Sequence, residues 1–136
     1  MSYGQASALQ AAVYQHLSAD AALAGLVGTA IYDAIPPGSL PSLYVTIGPE
    51  IVRDKSDQTG TGAEHEFTVS VISDQAGFSE AKTAAGAVSD ALVDAPLTLS
   101  RGYLIGLGFY KATAARIGTG ETREIKLTFR ARVEDA

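Results

Sequence analysis

Histidine is the side chain most often used to move a proton or hold a metal near neutral pH, and this chain has two, His16 and His65. His65 stands between Glu64 and Glu66 at the head of an alternating run, Glu64-His65-Glu66-Phe67-Thr68-Val69-Ser70-Val71-Ile72-Ser73. Successive side chains of an extended strand point to opposite faces, so the imidazole turns away from both carboxylates and no ligand set converges. His16 falls near the end of a helical stretch, where it favours the C-terminal end of the helix dipole. A Ser-His-Asp site needs its serine on a tight exposed turn, and Gly-x-Ser-x-Gly does not occur. The chain has no cysteine, which excludes disulfides and thiolate zinc sites. Gly60-Thr61-Gly62 and Gly118-Thr119-Gly120 are neither followed by Lys-Ser/Thr nor placed to open a helix, so they read as hairpin tips and not phosphate loops. Asp20, Asp33, Asp54 and Asp57 lie in loops with no partner in an apolar pocket. No catalytic, metal-binding or cofactor-binding residue is expected, and no cofactor.

What remains is a set of polar side chains able to touch another macromolecule. Arg53, Asp54, Lys55, Asp57 and Gln58 belong to residues 53–63, a stretch too polar to enter a core and longer than a chain reversal needs. It is expected to be a flexible hairpin tip of the kind that contacts partners. Lys126, Arg130 and Arg132 fall on the outward face of the last strand. There they either meet a partner's phosphates or form cross-strand pairs with acidic neighbours. These eight residues are the candidate partner interface.

The elements that position them follow from periodicity. The chain is organised around residues 63–95. A strand with Phe67, Val69 and Val71 on one face leads into a helix whose Phe78, Ala81, Ala85, Val88 and Leu92 recur every three or four positions. This helix is expected over residues 77–95, with Glu80 three residues after Gly77 in a capped first turn and Pro96 as its stop. Its alanine stripe lets it lie close to a sheet. Residues 5–17 form a first helix with Leu9, Val13 and Leu17 on one stripe. Asp20 then caps a short helical turn that buries Leu23 and Leu26 and is closed by Gly28. Ile31-Tyr32 reads as a very short strand. Leu43 to Ile47 is strand-like, Gly48-Pro49 interrupts it, and Glu50 to Arg53 resumes it past a bulge at a sheet edge.

In the next strand, running to Arg116, Tyr103, Ile105, Leu107 and Phe109 share a face opposite Gly106 and Gly108. The last strand alternates cleanly, with Ile125, Leu127, Phe129, Ala131 and Val133 inward. The sum is an α+β fold, one domain over residues 1–136, with an antiparallel sheet of about four strands and helices on one face. Its other face stays open and would carry Glu66, Thr68, Ser70, Lys126, Arg130 and Arg132 together with Ile72, Leu104 and Tyr110. Such a mixed face suits contact with a second copy.

Composition bounds the partners. The 136 residues are 46% hydrophobic and 18% charged, a globular composition able to bury a core without staples. Fifteen acidic against ten basic residues leave a net charge of −5, which disfavours electrostatic wrapping of nucleic acid. Met1-Ser2-Tyr3-Gly4-Gln5 lacks the basic start and apolar core of a signal peptide, and no apolar run nears the roughly 20 residues that span a bilayer. A membrane partner is therefore not expected.

The order of these segments resembles a known family. Ala8 to Tyr14, Leu17 to Leu23, Ile31-Tyr32-Asp33-Ala34-Ile35-Pro36-Pro37-Gly38, Pro41 to Gly48, Val52-Arg53-Asp54, Gly62 to His65, Gly77 to Lys82 and Asp94-Ala95-Pro96-Leu97 together look like the tail-completion, or tail-terminator, proteins of long-tailed phages, prophages and gene transfer agents. The likeness runs from residue 8 to about residue 133. It implies a small non-enzymatic domain that assembles as a ring, usually a hexamer, on the head-proximal end of the tail tube. Such a ring stops tube growth and docks to the head–tail connector or neck protein. DNA passes through it only as cargo. Assembly in the bacterial cytoplasm and residence in the tail or neck of the particle are implied with it. Six copies of a chain of net charge −5 carry about −30 in all, which lets a duplex slide without being held. Two other readings compete: a neck or head-completion protein of the same particle, and a small enzyme or ligand-binding dimer using the open face. The second requires a concave pocket with convergent polar groups.

Overall fold

Asp20 divides the N-terminal helical stretch in two. Its carboxylate accepts the Leu23 amide at 2.9 Å, ending α1 (Ala6–Ala19) and capping α2 (Ala21–Val27). Gly28, at φ +61°, closes α2 as expected. The computed structural model describes residues 3–58, 60–118 and 121–135. Thr59, Thr119 and Gly120 lie outside them, so only Gly118 of the expected Gly-Thr-Gly turn is described. The remaining elements are β1 (Ile31–Tyr32), β2 (Leu43–Asp54), β3 (Gly62–Ser73), α3 (Ser79–Leu92), β4 (Tyr103–Arg116) and β5 (Arg123–Glu134).

The sheet has five strands, not about four, in the order β1-β2-β3-β5-β4. It is also mixed, because the two-residue β1 pairs parallel to β2 through Ile31–Val45 and Tyr32–Thr46. All other pairs are antiparallel. The α+β class stands. The last strand of the chain inserts between β3 and β4, which explains its clean alternation: β5 has a partner on both sides and one face fully covered. Leu127, Phe129, Ala131 and Val133 are buried and meet Val69, Phe67, His65 and Ala63 of β3 directly across the ladder.

All three helices lie on that face. Along α3, Ala81, Ala84, Ala85, Val88 and Leu92 are buried, so the small stripe brings this helix onto β3 and β5. From α1, Leu9, Val13 and Leu17 join the same core. Each fully buried Leu or Val here contributes about 1.5–3 kcal/mol of transfer free energy.

Several local expectations are corrected. Leu26 of α2 is exposed and Val27 is buried in its place, since the short helix turns its last residue inward. Helix α3 starts after Phe78, with no side-chain cap, and ends at Leu92. Val93 is already extended at ψ 124°, and Asp94 follows it at a left-handed φ of +57°, so the chain leaves the helix ahead of Pro96. Two bulges, at Ile105 and Tyr110, shift the register of β4. They invert its phase, so Tyr103, Ile105, Leu107 and Phe109 do not share a face. Leu107 is buried, Tyr103 and Ile105 are exposed, and Leu104 packs against the core instead of lying on the open face. At Gly106 and Gly108 nothing approaches within 4 Å of where a Cβ would stand. The bulge after Ile47 is present: Gly48 and Pro49 stand opposite a single β3 residue, and Glu50 pairs with Phe67.

Candidate functional site

Register determines what the open face presents. Strand β3 sits between β2 and β5, so Glu64 lies between Arg53 and Arg132 while Glu66 lies between Ile51 and Arg130. The long side chains then interleave across the strands. Arg53 Nη1 is 3.6 Å from Glu64 and 3.3 Å from Glu66, and Arg130 Nε is 3.9 and 3.3 Å from the same two carboxylates. The Arg130 guanidinium also lies over the Tyr110 ring, 3.5 Å from its centroid, a cation–π contact. Desolvation against the sheet pushes the Glu66 carboxyl up. Hydrogen bonds and charge from Arg53 and Arg130 outweigh that and hold it below its ordinary value of 4.5. The open face thus carries an internally paired ionic ladder of Arg53, Glu64, Glu66 and Arg130. Its centre is filled, because Ser70, Thr128 and Ile72 are buried beneath longer neighbours.

The hairpin tip is shorter and more structured than expected. Arg53 and Asp54 belong to β2, and Gly62 and Ala63 belong to β3. Ala63 is fully buried, so the core reaches further than the polar composition of this stretch implied. The turn itself is tied by Lys55 N–H to Gly62 O at 2.8 Å and Asp57 N–H to Gly60 O at 3.0 Å. Asp54 Oδ1 accepts from the Ser56 amide and hydroxyl, and Asp57 Oδ1 accepts from the Gly60 amide. From β5, Arg132 Nη2 donates to Lys55 O at 3.0 Å. This leaves the exposed Gln58 at the tip.

Seven of the eight candidate residues therefore gather at one end of the sheet: Arg53, Asp54, Lys55, Asp57, Gln58, Arg130 and Arg132. Lys126 stands apart, four residues up β5 from Arg130 or about 13 Å along the strand, and pairs with Glu124 at 3.8 Å.

The helical face carries the features that sequence reading did not find. His65 is fully buried with no hydrogen-bond partner on either ring nitrogen, and Glu50 Oε2 lies 3.6 Å from its Nδ1. The bulge at Gly48-Pro49 turned Glu50 to this side. His16 stands in the last turn of α1, as expected, and its Nε2 also meets the Ala91 carbonyl near the end of α3 at 2.8 Å. An open cleft of about 650 Å³ runs beside α1, lined by Tyr3, Gln10, Tyr14, Asp33 and Glu50. Its polar groups pair with one another: Tyr3 OH donates to Glu50 at 2.6 Å, and Gln10 donates to Asp33. A second groove, of about 300 Å³, separates Ala85 and Gly86 of α3 from Phe109, Ala112 and Ala114 of β4. Among the described residues no group of three or more His, Cys, Asp or Glu could hold a metal. No helix among them is long and apolar enough to cross a membrane.

Comparison with known proteins completes these observations. Residues 11–134 match the model of the family described as tail completion protein gp17. Among solved structures, the fold is similar to a chain of the virion of a native gene transfer agent particle, with a TM-score of 0.94 and 63% sequence identity over 98% of this chain and 99% of that one. Curated protein sequences return no match.

Proposed function

The chain belongs to the family of tail completion protein gp17, and on that premise we propose that it is a structural tail-assembly protein of a phage-like particle. The observation that carries this is the 63% identity, over nearly all of both chains, to a component of a gene transfer agent virion. In this reading several copies form a ring, six in number, on the head-proximal end of the tail tube. The ring ends tube growth and offers its other side to the head–tail connector or neck protein. DNA crosses the lumen as cargo, and the acidic balance of the chain keeps it from being retained. Assembly takes place in the bacterial cytoplasm. The role asks for positioning and no catalysis, in keeping with a site made of surface pairs.

The hairpin tip, with its exposed Gln58, is assigned to contact with the tube or the connector. It joins the paired ends of β2 and β3 outside the packed strands, and its internal hydrogen bonds hold it in shape before any partner arrives. Particles made without this protein test the reading. Overlong, headless tails are expected, whereas tails of normal length would move the assignment to the neck. Shortening the tip by removing residues 57–60 should reduce head–tail joining. Unimpaired joining would refute the role given to the tip.

A further inference from the structure

The expectation that copies meet through the open face loses its physical basis once that face is seen to carry an internally paired ionic ladder. Apolar surface is concentrated elsewhere. Tyr103, Ile105, Phe109, Tyr110 and Ile117 are exposed on or just after β4, while Tyr3, Tyr14, Ile35 and Ile51 are exposed near β1 and β2. Only Leu26 and Val93, on the helical layer, complete the exposed large apolar residues among those described. These are the two ends of the sheet.

Both ends also carry unpaired backbone. β4 pairs only with β5. Its outer side receives one further backbone bond, from Asp94 N–H to Leu107 O, and from Gly108 to Arg116 no other is present among the described residues. At the opposite end β1 covers only Val45 and Thr46 of β2, leaving Glu50 to Asp54 open. A long, apolar, uncovered edge strand is a template for pairing, which proteins ordinarily block with charge or cover. The charges at the two ends are complementary. β4 is the only long strand without an acidic residue and carries Lys111 and Arg116. The other end carries three carboxylates, Asp33, Glu50 and Asp54, against two cations, Arg53 and Lys55, a balance of −1 facing the +2 of Lys111 and Arg116.

We infer that neighbouring copies join end to end through the sheet, the Gly108–Arg116 segment of β4 in one copy lying against the Glu50–Asp54 segment of β2 in the next. The helical layer covers Leu104 and Leu107 of β4 but leaves the strand exposed from Phe109 onward, so the groove beside Phe109 and Ala114 receives the neighbour's Tyr3 and Tyr14. On the open side Tyr110 meets the neighbour's exposed Ile51. The two surfaces differ, so the contact is heterologous and repeats around a closed ring or along a filament. A two-fold pair is excluded by this geometry. The inference rests on the multi-copy assembly proposed above and specifies its joint.

The absence of cysteine makes the joint directly testable by cross-linking. Ile51→Cys is combined in turn with Lys111→Cys, Thr113→Cys and Ala115→Cys, all four positions being exposed and pointing to the open side. Within one copy these positions are three strand spacings apart, about 14 Å, beyond the roughly 7 Å a disulfide can bridge. Mild oxidation of the purified full-length variants, and of assembled particles carrying them, is read on a non-reducing gel. At least one pair should give a ladder extending past the dimer while every single variant stays monomeric. Adding Ala114→Asp, which places a charge in the groove, should cut the ladder at least tenfold with an unchanged unfolding midpoint. Dimers from single variants overturn the inference. So does the absence of any ladder from all three pairs while native mass spectrometry finds multiple copies, an outcome that leaves the ring reading intact. A single copy per particle would remove the ring reading and the joint together.

Discussion

Truncating Phe129 to alanine tests where the packing free energy of this sheet resides. Phe129 is fully buried on the central strand β5. Its ring stacks on Phe67 at 5.7 Å and 26°, and meets Phe109 edge-on at 5.9 Å and 76°. Removing it leaves a cavity between β3 and β4 that α3, packed on small residues, has no side chain to fill. Large-to-small changes of this kind cost about 3–5 kcal/mol, a large share of the roughly 7–20 kcal/mol expected for a domain of this length. For this size each kcal/mol lowers the midpoint by about 3–5 °C, so Phe129→Ala should melt about 10–20 °C below the parent by far-UV circular dichroism. Phe109→Ala supplies the contrast. Its ring is 48% exposed and only half of it leaves water on folding, so a cost of about 1–2 kcal/mol is expected. That variant should stay folded yet associate poorly if the groove it lines is the proposed subunit joint. A Phe129→Ala protein within about 1 kcal/mol of the parent by urea unfolding, or equal losses from the two substitutions, would refute the placement of the core around these three rings.

Three further outcomes follow from individual contacts. Because Arg53 and Arg130 hold the Glu66 carboxyl below 4.5, the ionised ladder adds stability above that pH and loses it as acid titrates the folded group. Stability measured downward from pH 6 should fall less steeply in Glu66→Gln than in the parent, and parallel curves would show that the pairs contribute nothing. Asp20→Ala removes the acceptor for Leu23 N–H and should cost about 1 kcal/mol by chemical denaturation, with Asp20→Asn retaining most of the stability. Gly102 holds φ +80°, and a Cβ there would stand 2.5 Å from the Glu134 carbonyl and 3.0 Å from Gln5 Cγ. Gly102→Ala is accordingly expected to lose more than about 1 kcal/mol, read as a lowered unfolding midpoint, whereas Gly86→Ala, with open space around it, should be neutral or stabilising.

Local chemistry was legible in the residues themselves. Asp20 announced a helix break because a carboxylate there satisfies one of the free first-turn amides of the next helix. Gly48-Pro49 announced a bulge because proline has no N–H to give to a ladder. Phe67, Val69 and Val71 declared the buried face of β3, and the alanines of α3 declared a close approach to it. The family likeness was also carried in the order of such segments, and it extended to the particle that the comparisons point to.

Long-range pairing was not legible, because nothing in a strand's own alternation says which neighbour it will take. Only the folded sheet places β5 between β3 and β4 and adds β1 as a parallel edge. The same holds for side-chain phase. One extra residue at Ile105 and another at Tyr110 turn β4 over, sending Leu104 inward, and the bulge in β2 brings Glu50 to His65. The candidate arginines were identifiable as outward-facing, but that Arg53 and Arg130 are spent on Glu64 and Glu66 depends on register across three strands. Periodicity determined which residues leave water. Register, which only tertiary packing sets, decided which of the remaining charged side chains are paired across the open face and where the large apolar side chains stay exposed.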